Sequence, residues 1–285
     1  MVHPPSRPAR PDPPEIAELR ALRANHPELA PAVDLQVDLM ELARRLLVRI
    51  PTPPVPPSPA LLMSRLERGN RMLELEDLPL DWAEVRLALR QTADILARHD
   101  SLEPPHHDAI STLVRDADAT ERLIRTWYAE TACGPAASPA TDRPAMFDDV
   151  ASLAIRPFLS RTLELASRMI TLGDWGRSWC PFCGAEPDFA VLLDDHHRAL
   201  VCSRCLGRWP WEAVGCPWCP TRDRSQLPMF ASRDRRYRVY ACQVCRRYLK
   251  AVDVRHTSRP AMPPVDAIAT LPLDAAAVQQ GFIGA

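Results

Sequence analysis

The chain has 285 residues, enough for two domains, and its 46% hydrophobic and 25% charged residues are ordinary for a globular protein. A net charge of −1 gives no overall attraction to nucleic acid, and no run approaches the ~18 apolar residues of a membrane-spanning helix. Lys250 is the only lysine and no G-x-G-x-x-G occurs, so a phosphate-binding P-loop is excluded and a dinucleotide-binding fold is disfavoured.

The first half of the chain predicts an all-helical domain over residues 14–173, preceded by a Pro- and Arg-rich segment, 1–13, that predicts disorder. Apolar side chains recur at helical spacing in six segments: 14–25, 31–50, 59–74, 79–99, 106–130 and 146–172. Asp81 and Glu84 resemble a capping box at the start of the fourth segment. These apolar stripes are typical of a helical core, not of a cofactor site.

Eight of the nine cysteines form four Cys-x-x-Cys pairs within residues 180–245. The pairs follow one another as Cys-x2-Cys-x18-Cys-x2-Cys and then Cys-x2-Cys-x22-Cys-x2-Cys, a spacing that predicts two tetrahedral metal sites. The first ligand set is Cys180, Cys183, Cys202 and Cys205, and the second is Cys216, Cys219, Cys242 and Cys245. Four soft thiolates suit zinc or iron and disfavour magnesium and calcium.

Two other uses of these cysteines are disulfides and dithiol redox chemistry. The first residues lack the apolar core of an export signal, so we expect a cytoplasmic protein in which regular Cys-x-x-Cys spacing favours metal. His196 and His197 fit the tip of a hairpin better than a metal site, because each four-cysteine set is already complete. Cys133 has no cysteine neighbour and is expected to be a small buried or loop residue.

From Cys180 onward the pattern predicts short strands, at 189–193, 198–201 and 237–240. We divide this part into two small metal modules, 174–212 and 213–256, and a C-terminal tail, 257–285. Each module is too small to bury a core, so metal must supply much of its folding energy. Gly184 follows the first pair, where a positive φ is often needed. The corresponding residues of the other pairs, Leu206, Pro220 and Arg246, predict less regular turns.

Several motifs follow one another in a fixed order in the second half of the chain. They are Arg156-Pro-Phe-Leu-Ser-Arg161, Trp179-Cys-Pro-Phe-Cys-Gly-Ala-Glu-Pro187, Leu200-Val-Cys-Ser-Arg-Cys205 with Trp209, Cys216-Pro-Trp-Cys219, and Cys242-Gln-Val-Cys-Arg-Arg-Tyr-Leu-Lys250 with Asp253. In this order the motifs resemble the FdhE-type formate dehydrogenase accessory proteins. The resemblance implies an α+β fold, in which an N-terminal all-α helical domain is followed by two tandem rubredoxin-like or zinc-ribbon modules of short β-strands.

The resemblance also implies a function. It implies a cytoplasmic protein, not an enzyme, that binds the catalytic subunit of respiratory formate dehydrogenases and is needed for their maturation or activity. The family favours iron as the metal, with two ions on the eight cysteines, and zinc is the alternative. Whether the protein forms a homodimer is left open. A candidate partner-binding strip is Tyr248, Leu249 and Lys250, since a lone lysine among arginines offers a compact point charge.

Two alternative functions stay open from the residues. In a zinc-ribbon nucleic-acid-binding protein, an arginine-rich stretch with two tyrosines would contact phosphates and bases: Arg233, Arg235, Arg236, Arg238, Arg246 and Arg247 with Tyr237 and Tyr240. The near-neutral chain favours a solvated hairpin instead, so nucleic acid is not the expected partner. A rubredoxin-type electron carrier is the second alternative, and it requires redox-active iron. Five of the seven tryptophans, at 175, 179, 209, 211 and 218, either shield the metal or anchor a partner.

Overall fold

The computed structural model describes residues 12–51, 57–132, 145–173, 175–193, 197–212, 214–255 and 259–284. Seven helices of the described residues precede the first cysteine pair: α1 (Pro14–Asn25), α2 (Ala30–Arg49), α3 (Pro59–Glu67), α4 (Trp82–Arg98), α5 (Pro104–Leu113), α6 (Ala117–Glu130) and α7 (Ala145–Met169). The predicted helical first half is confirmed. Residues 1–11, most of the segment predicted to be disordered, lie outside the described residues.

Helix α3 is shorter than predicted. It ends at Glu67, and Gly69 then adopts a φ of 76°, the left-handed conformation that commonly terminates helices. Beyond this point the amides of Met72 and Leu73 donate to the carbonyls of Pro181 and Phe182, at 2.7 and 2.8 Å. The segment therefore leaves the helix to bind the turn of the first cysteine pair, a long-range contact that helical periodicity does not reveal.

The segment predicted as one helix over 106–130 is two helices. The carboxylate of Asp116 accepts the amide of Ala119 at 2.9 Å and so caps the start of α6. Of the predicted capping box, the cap at Asp81 is confirmed, since its carboxylate accepts the amide of Ala83 at 2.8 Å, whereas Glu84 pairs with Arg49 at 2.8 Å. Both caps satisfy amides that have no partner within their own helix.

Helix α7 carries much of the helical core and connects it to the metal region. Val150, Ala154 and Phe158 recur every four residues on its buried face and are fully inaccessible to solvent. Trp127 of α6 is also fully buried in this core. The same core includes all four cysteines of the first predicted metal site, so helical packing and metal ligation share one hydrophobic cluster.

The metal region contains one six-stranded sheet with the strand order β3-β2-β1-β6-β5-β4. Its strands are β1 (Pro187–Leu192), β2 (His197–Cys202), β3 (Arg208–Glu212), β4 (Met229–Ala231), β5 (Tyr237–Ala241) and β6 (Tyr248–Asp253). β1–β3 form one antiparallel unit and β4–β6 another. β1 and β6 pair in parallel, with Phe189 opposite Lys250, so the two units are halves of a continuous sheet.

The central strands β2, β1 and β6 are buried on both faces, whereas the edge strand β4 is exposed. In β1, Ala190 and Leu192 pack into the helical core, whereas Phe189 and Val191 belong to a second cluster on the opposite face. This two-sided burial explains why the predicted strand 189–193 is a continuous apolar run without polar alternation.

The segment predicted as a C-terminal tail, 257–285, contains two helices, α8 (Pro263–Ala269) and α9 (Leu271–Gln279). Asp266 of α8 is fully buried, and its carboxylate accepts the Tyr237 hydroxyl at 2.9 Å, Arg259 Nη1 at 2.8 Å and the Met262 amide at 2.7 Å. The contact with Tyr237 holds α8 against β5. Since it joins residues 29 positions apart, the local sequence pattern of these short helices does not indicate it.

No helix among the described residues combines the length and apolar character needed to cross a membrane.

Candidate metal centres

The first tetrad lies where the helical core meets the sheet. Sγ of Cys180 is 3.6 Å from Sγ of Cys205, and Sγ of Cys183 is 3.4 Å from Sγ of Cys202. All four sulfurs lie within 4.8 Å of one another. Metal–sulfur bonds of about 2.3 Å in a tetrahedron place the sulfurs about 3.8 Å apart, so the tetrad fits one ion with a slight expansion.

The second tetrad has the same geometry at the far half of the sheet. Sγ–Sγ distances are 3.6 Å for Cys216 and Cys245 and 3.6 Å for Cys219 and Cys242. In both sites the first cysteine of one pair faces the second cysteine of the other. All eight cysteines are free of disulfide bonds. The donor sets are therefore those predicted from the spacing, and each set can hold one zinc or iron ion.

A shared backbone pattern forms three of the four turns around these cysteines. The amide of the first cysteine donates to the carbonyl five residues later, and the amide four residues later donates back to the first cysteine's carbonyl. In the turn of Cys202 these bonds are 2.9 and 3.2 Å, and the amides of Arg204 and Cys205 point at Sγ of Cys202 at 3.4 Å. Amides aimed at sulfur stabilise the thiolate form that a metal requires.

The residue after the second cysteine is left-handed in those three turns. Gly184, Leu206 and Arg246 have φ values of 79°, 59° and 61°. The prediction of less regular turns at Leu206 and Arg246 is therefore wrong: the hydrogen bonds and the ligand geometry impose a conformation that costs an L-residue about 1–2 kcal/mol. The turn at Pro220 does depart from the shared pattern, because proline has no N–H to donate. Of the two backbone bonds of that pattern it keeps the one from the amide of Cys216 to the carbonyl of Thr221, at 3.0 Å.

The two tetrads differ sharply in burial. The four sulfur-bearing residues of the first site are 0–2% exposed. In the second site Cys216 and Cys242 are buried, whereas Cys219 and Cys245 are partly exposed. The same ligand chemistry therefore occupies two different environments.

Burial and sulfur–sulfur contacts perturb the pKa values of these thiols. Burial raises the pKa of Cys180 well above its usual value. Burial also acts to raise the pKa of Cys183, but hydrogen bonds from the three other thiols of its tetrad outweigh it and hold that pKa well below the usual value. At Cys219 burial is outweighed by hydrogen bonds from Thr221 and from Cys242, which lower the pKa to about 7. Without a cation, each tetrad shares protons among its sulfurs, and metal binding displaces them.

Arginine side chains surround the first site. Arg204, within the second cysteine pair, is 4% exposed and stacks on the Trp127 ring at 4.5 Å. Its Nη2 donates to the hydroxyl of Thr131 at 2.6 Å. Arg156 of α7 donates from Nε to the carbonyl of Arg204 at 2.9 Å and from Nη2 to that of Ser203 at 2.8 Å. These cations offset the thiolate charge in a setting of low dielectric constant.

The roles of these arginines were not predicted from the sequence. The available signals were the position of Arg204 between two cysteines of one pair and the position of Arg156 at the start of the first family motif. Arg198 is the counterpart near the second site: it is 1% exposed, donates to the carbonyl of Gly215, and lies 5.1 Å from the Tyr240 ring. Its role at the second site is not apparent in the sequence because it lies on β2, which ends at Cys202 of the first site, 14 positions before Cys216.

The candidate partner strip lies in the interior of the molecule. Leu249 and Tyr248 are 1% and 6% exposed on β6. Lys250 Nζ forms an ion pair with Asp274 of α9 at 2.6 Å, and the Tyr248 hydroxyl donates to the same carboxylate at 2.7 Å. The strip thus holds α9 on the sheet, and this burial argues against direct contact with a partner. The lone lysine has a structural partner instead.

The remaining candidates are dispersed. His197 begins β2 outside both cysteine tetrads, while His196 and Cys133 lie outside the described residues. Among the arginines considered for nucleic acid, Arg238 pairs with Asp253 at 2.7 Å and Arg247 with Glu186 at 2.5 Å. These ion pairs reduce the number of arginines available to phosphate groups.

The tryptophans of the metal region differ in burial and in their contacts. Trp209 is 1% exposed and belongs to the main core. Trp218, beside the second site, lies under the guanidinium of Arg247 at 4.3 Å. Trp175 and Trp179 are half-buried and meet edge to face at 6.2 Å, each within reach of Arg177. Packing of the core and shielding of the metal region account for Trp209 and Trp218.

No family model matches the chain. It is 32% identical over 114 residues to the protein FdhE homolog of Aquifex aeolicus and 32% identical over 107 residues to that of Shewanella oneidensis. The predicted resemblance to FdhE proteins is confirmed. These alignments cover 38% and 36% of this chain and 40% and 35% of the relatives, so the chain spans less than half the length of the relatives that it matches.

The fold comparison extends over nearly the whole chain. The crystal structure of the FdhE protein from Pseudomonas aeruginosa matches with a TM-score of 0.61 at 21% identity, covering 94% of this chain and 91% of that one. This likeness establishes that the helical region and the cysteine-bearing sheet occur together in an FdhE fold. The predicted fold class is confirmed: a helical region is followed by a sheet region with two four-cysteine clusters that fit zinc-ribbon modules.

Proposed function

We propose that this chain is a cytoplasmic accessory protein, without catalytic turnover, that binds the catalytic subunit of a formate dehydrogenase and is required for that enzyme's maturation or activity. The observation that carries the proposal is the pair of complete four-cysteine sets in a chain similar to FdhE homologues.

The eight cysteines would hold two ions, and the identity of the ion decides what chemistry is available. Zinc has no redox chemistry and would stabilise the turns alone, whereas iron would add a change of oxidation state. The family resemblance favours iron. The protein's own contribution is to fix the ligand turns, since backbone amides and the surrounding arginines orient and neutralise the thiolates before the ion binds.

Two measurements test the proposal. The first is anaerobic purification followed by metal analysis and absorption spectroscopy: two equivalents of iron with thiolate-to-iron absorption support the redox-capable form, and two equivalents of zinc without colour support the structural form. The second is co-purification of the tagged chain with the formate dehydrogenase catalytic subunit expressed in the same cells.

Co-purification needs a variant that separates folding from binding. Cys216→Ser should lose the second ion while the helical core and first site remain folded, because Cys216 lies outside the main core cluster. We expect this variant to lose capture of the catalytic subunit. Arg224→Ala, which removes an exposed arginine from the same half of the sheet, is the matched control and should retain capture. Absence of capture by the metal-loaded wild-type chain would contradict the proposed partner.

A further inference from the structure

The two tetrads have the same ligands but different access to solvent. The first is sealed, with its four cysteines 0–2% exposed inside the main hydrophobic cluster. In the second, Cys219 and Cys245 reach the surface, and Val244 between the last two cysteines is 58% exposed. An incoming ligand can therefore approach the second site from the side of Cys219 and Cys245 without displacing core residues.

The helical domain holds the turns of the first site in place. The amides of Met72 and Leu73 donate to the carbonyls of Pro181 and Phe182, at 2.7 and 2.8 Å. On the other turn, Arg156 binds two carbonyls at 2.8 and 2.9 Å. Opening this site requires these bonds to break and core side chains to separate, a subglobal opening that is rare while the protein is folded.

The contacts of the second site lie closer to the surface, and those of its last turn reach the C-terminal segment, where the amide of Ile283 donates to the carbonyl of Arg246 at 2.8 Å. The amide of Gln243 donates to the carbonyl of Gln226 at 2.9 Å, and Gln243 itself is exposed. Arg247 covers Trp218 at 4.3 Å but is only half-buried. Opening here can stay local, because no turn of the second site is bonded through its backbone to α1–α7 among the described residues.

We infer that the second tetrad is an exchange site, whose ion can be taken up, released or bound by an incoming thiol, while the ion of the first tetrad leaves only through the rarer subglobal opening. Exchange is a ligand substitution without a redox step. With an ion held by Cys216, Cys219, Cys242 and Cys245, an incoming thiol would give its proton to the departing cysteine thiolate, so that one metal–sulfur bond would form as another breaks. The inference rests on metal binding by both sites but not on the identity of the partner.

Chelator competition on the full-length chain loaded with two equivalents of zinc tests the inference. The dye 4-(2-pyridylazo)resorcinol reports released zinc by absorbance. We expect two phases of one equivalent each, with the fast phase at least roughly 100-fold faster, as local and subglobal openings differ. Peptide-resolved alkylation by N-ethylmaleimide assigns the phases: Cys219 and Cys245 should be modified with the fast phase, and the first tetrad only with the slow phase.

A variant gives an independent assignment. Cys219→Ser should bind one equivalent of zinc and should show only the slow phase, at the wild-type rate. Release of both ions with one rate constant, or alkylation of Cys180 and Cys183 as early as Cys219, would overturn the inference while leaving the accessory function standing. A folded chain that binds no zinc or iron would contradict both.

Discussion

Replacing Arg156 by methionine tests whether the helical domain holds the first metal site in place. The guanidinium donates to the carbonyls of Arg204 and Ser203, at 2.9 and 2.8 Å, and methionine keeps the apolar stem while removing both donors. A hydrogen bond to a charged group contributes about 1.5–3 kcal/mol, and water can partly replace the donors at this half-buried position. We therefore expect the free energy of unfolding to fall by about 3 kcal/mol.

The assay is urea unfolding of the zinc-loaded protein, followed by tryptophan fluorescence, with two variants beside Arg156→Met. Arg168→Met is the matched control on the same helix, since its side chain is 71% exposed and its ion pair with Glu164 should contribute no more than about 0.5 kcal/mol. Arg156→Lys keeps the charge but lacks the planar fork, so we expect it to recover less than half of the loss.

Zinc release from the same variants separates a general loss of stability from a loss at the site. Arg156→Met should speed the slow phase of zinc release and leave the fast phase unchanged. An Arg156→Met protein as stable as the Arg168→Met control would refute the reasoning. A destabilised protein with an unchanged slow phase would show that Arg156 supports the fold without holding the site.

Three further substitutions have expected outcomes. Asp266→Asn should lower the free energy of unfolding by about 3 kcal/mol in urea titrations. The buried carboxylate accepts hydrogen bonds from Tyr237 and from Arg259, and Arg259 would lose its counter-charge. A variant as stable as the wild type would mean that α8 is weakly held. Asp253, flanked by two arginines that lower its pKa to about 2, should contribute about 2 kcal/mol above pH 4. That contribution is lost as the pH falls from about 4 toward 2, so the stability difference between wild type and Asp253→Asn should shrink over this window in pH-dependent urea unfolding. Arg235→Asn should stabilise the protein by up to about 1 kcal/mol in thermal or urea unfolding, since the exposed Arg235 has a φ of 59° that asparagine tolerates better. A destabilised variant would mean that the arginine makes a contact that outweighs this strain.

The metal ligands were the part of the site that the sequence could predict. Each Cys-x-x-Cys pair is a contiguous turn, so its ligand geometry is encoded locally, and the spacing between pairs leaves one natural grouping. The same applies to the caps at Asp81 and Asp116, of which the first was predicted, because a cap depends on residues only two or three positions apart.

The elements that were missed depend on contacts between distant residues. The end of α3 follows from Gly69 and from bonds between residues 72–73 and 181–182, more than a hundred positions apart. The burial of Lys250 follows from the parallel pairing of β1 with β6 and from Asp274 on a helix that had been predicted as tail. A solitary lysine gives no local indication of which carboxylate it will meet.

The ion pair between Glu186 and Arg247 is one of the links between the two metal sites. Glu186 follows the first site's opening turn, and Arg247 follows the second site's last turn and covers Trp218. Both side chains are substantially exposed, at 42% and 25%, so their 2.5 Å contact should contribute no more than about 1 kcal/mol. The other links are the β1–β6 backbone pairing and the bond from Arg198 of β2 to the carbonyl of Gly215, and neither involves Cys219 or Cys245. The structure thus allows the second site to open and refill while the first site and helical core stay folded, as an exchangeable site requires.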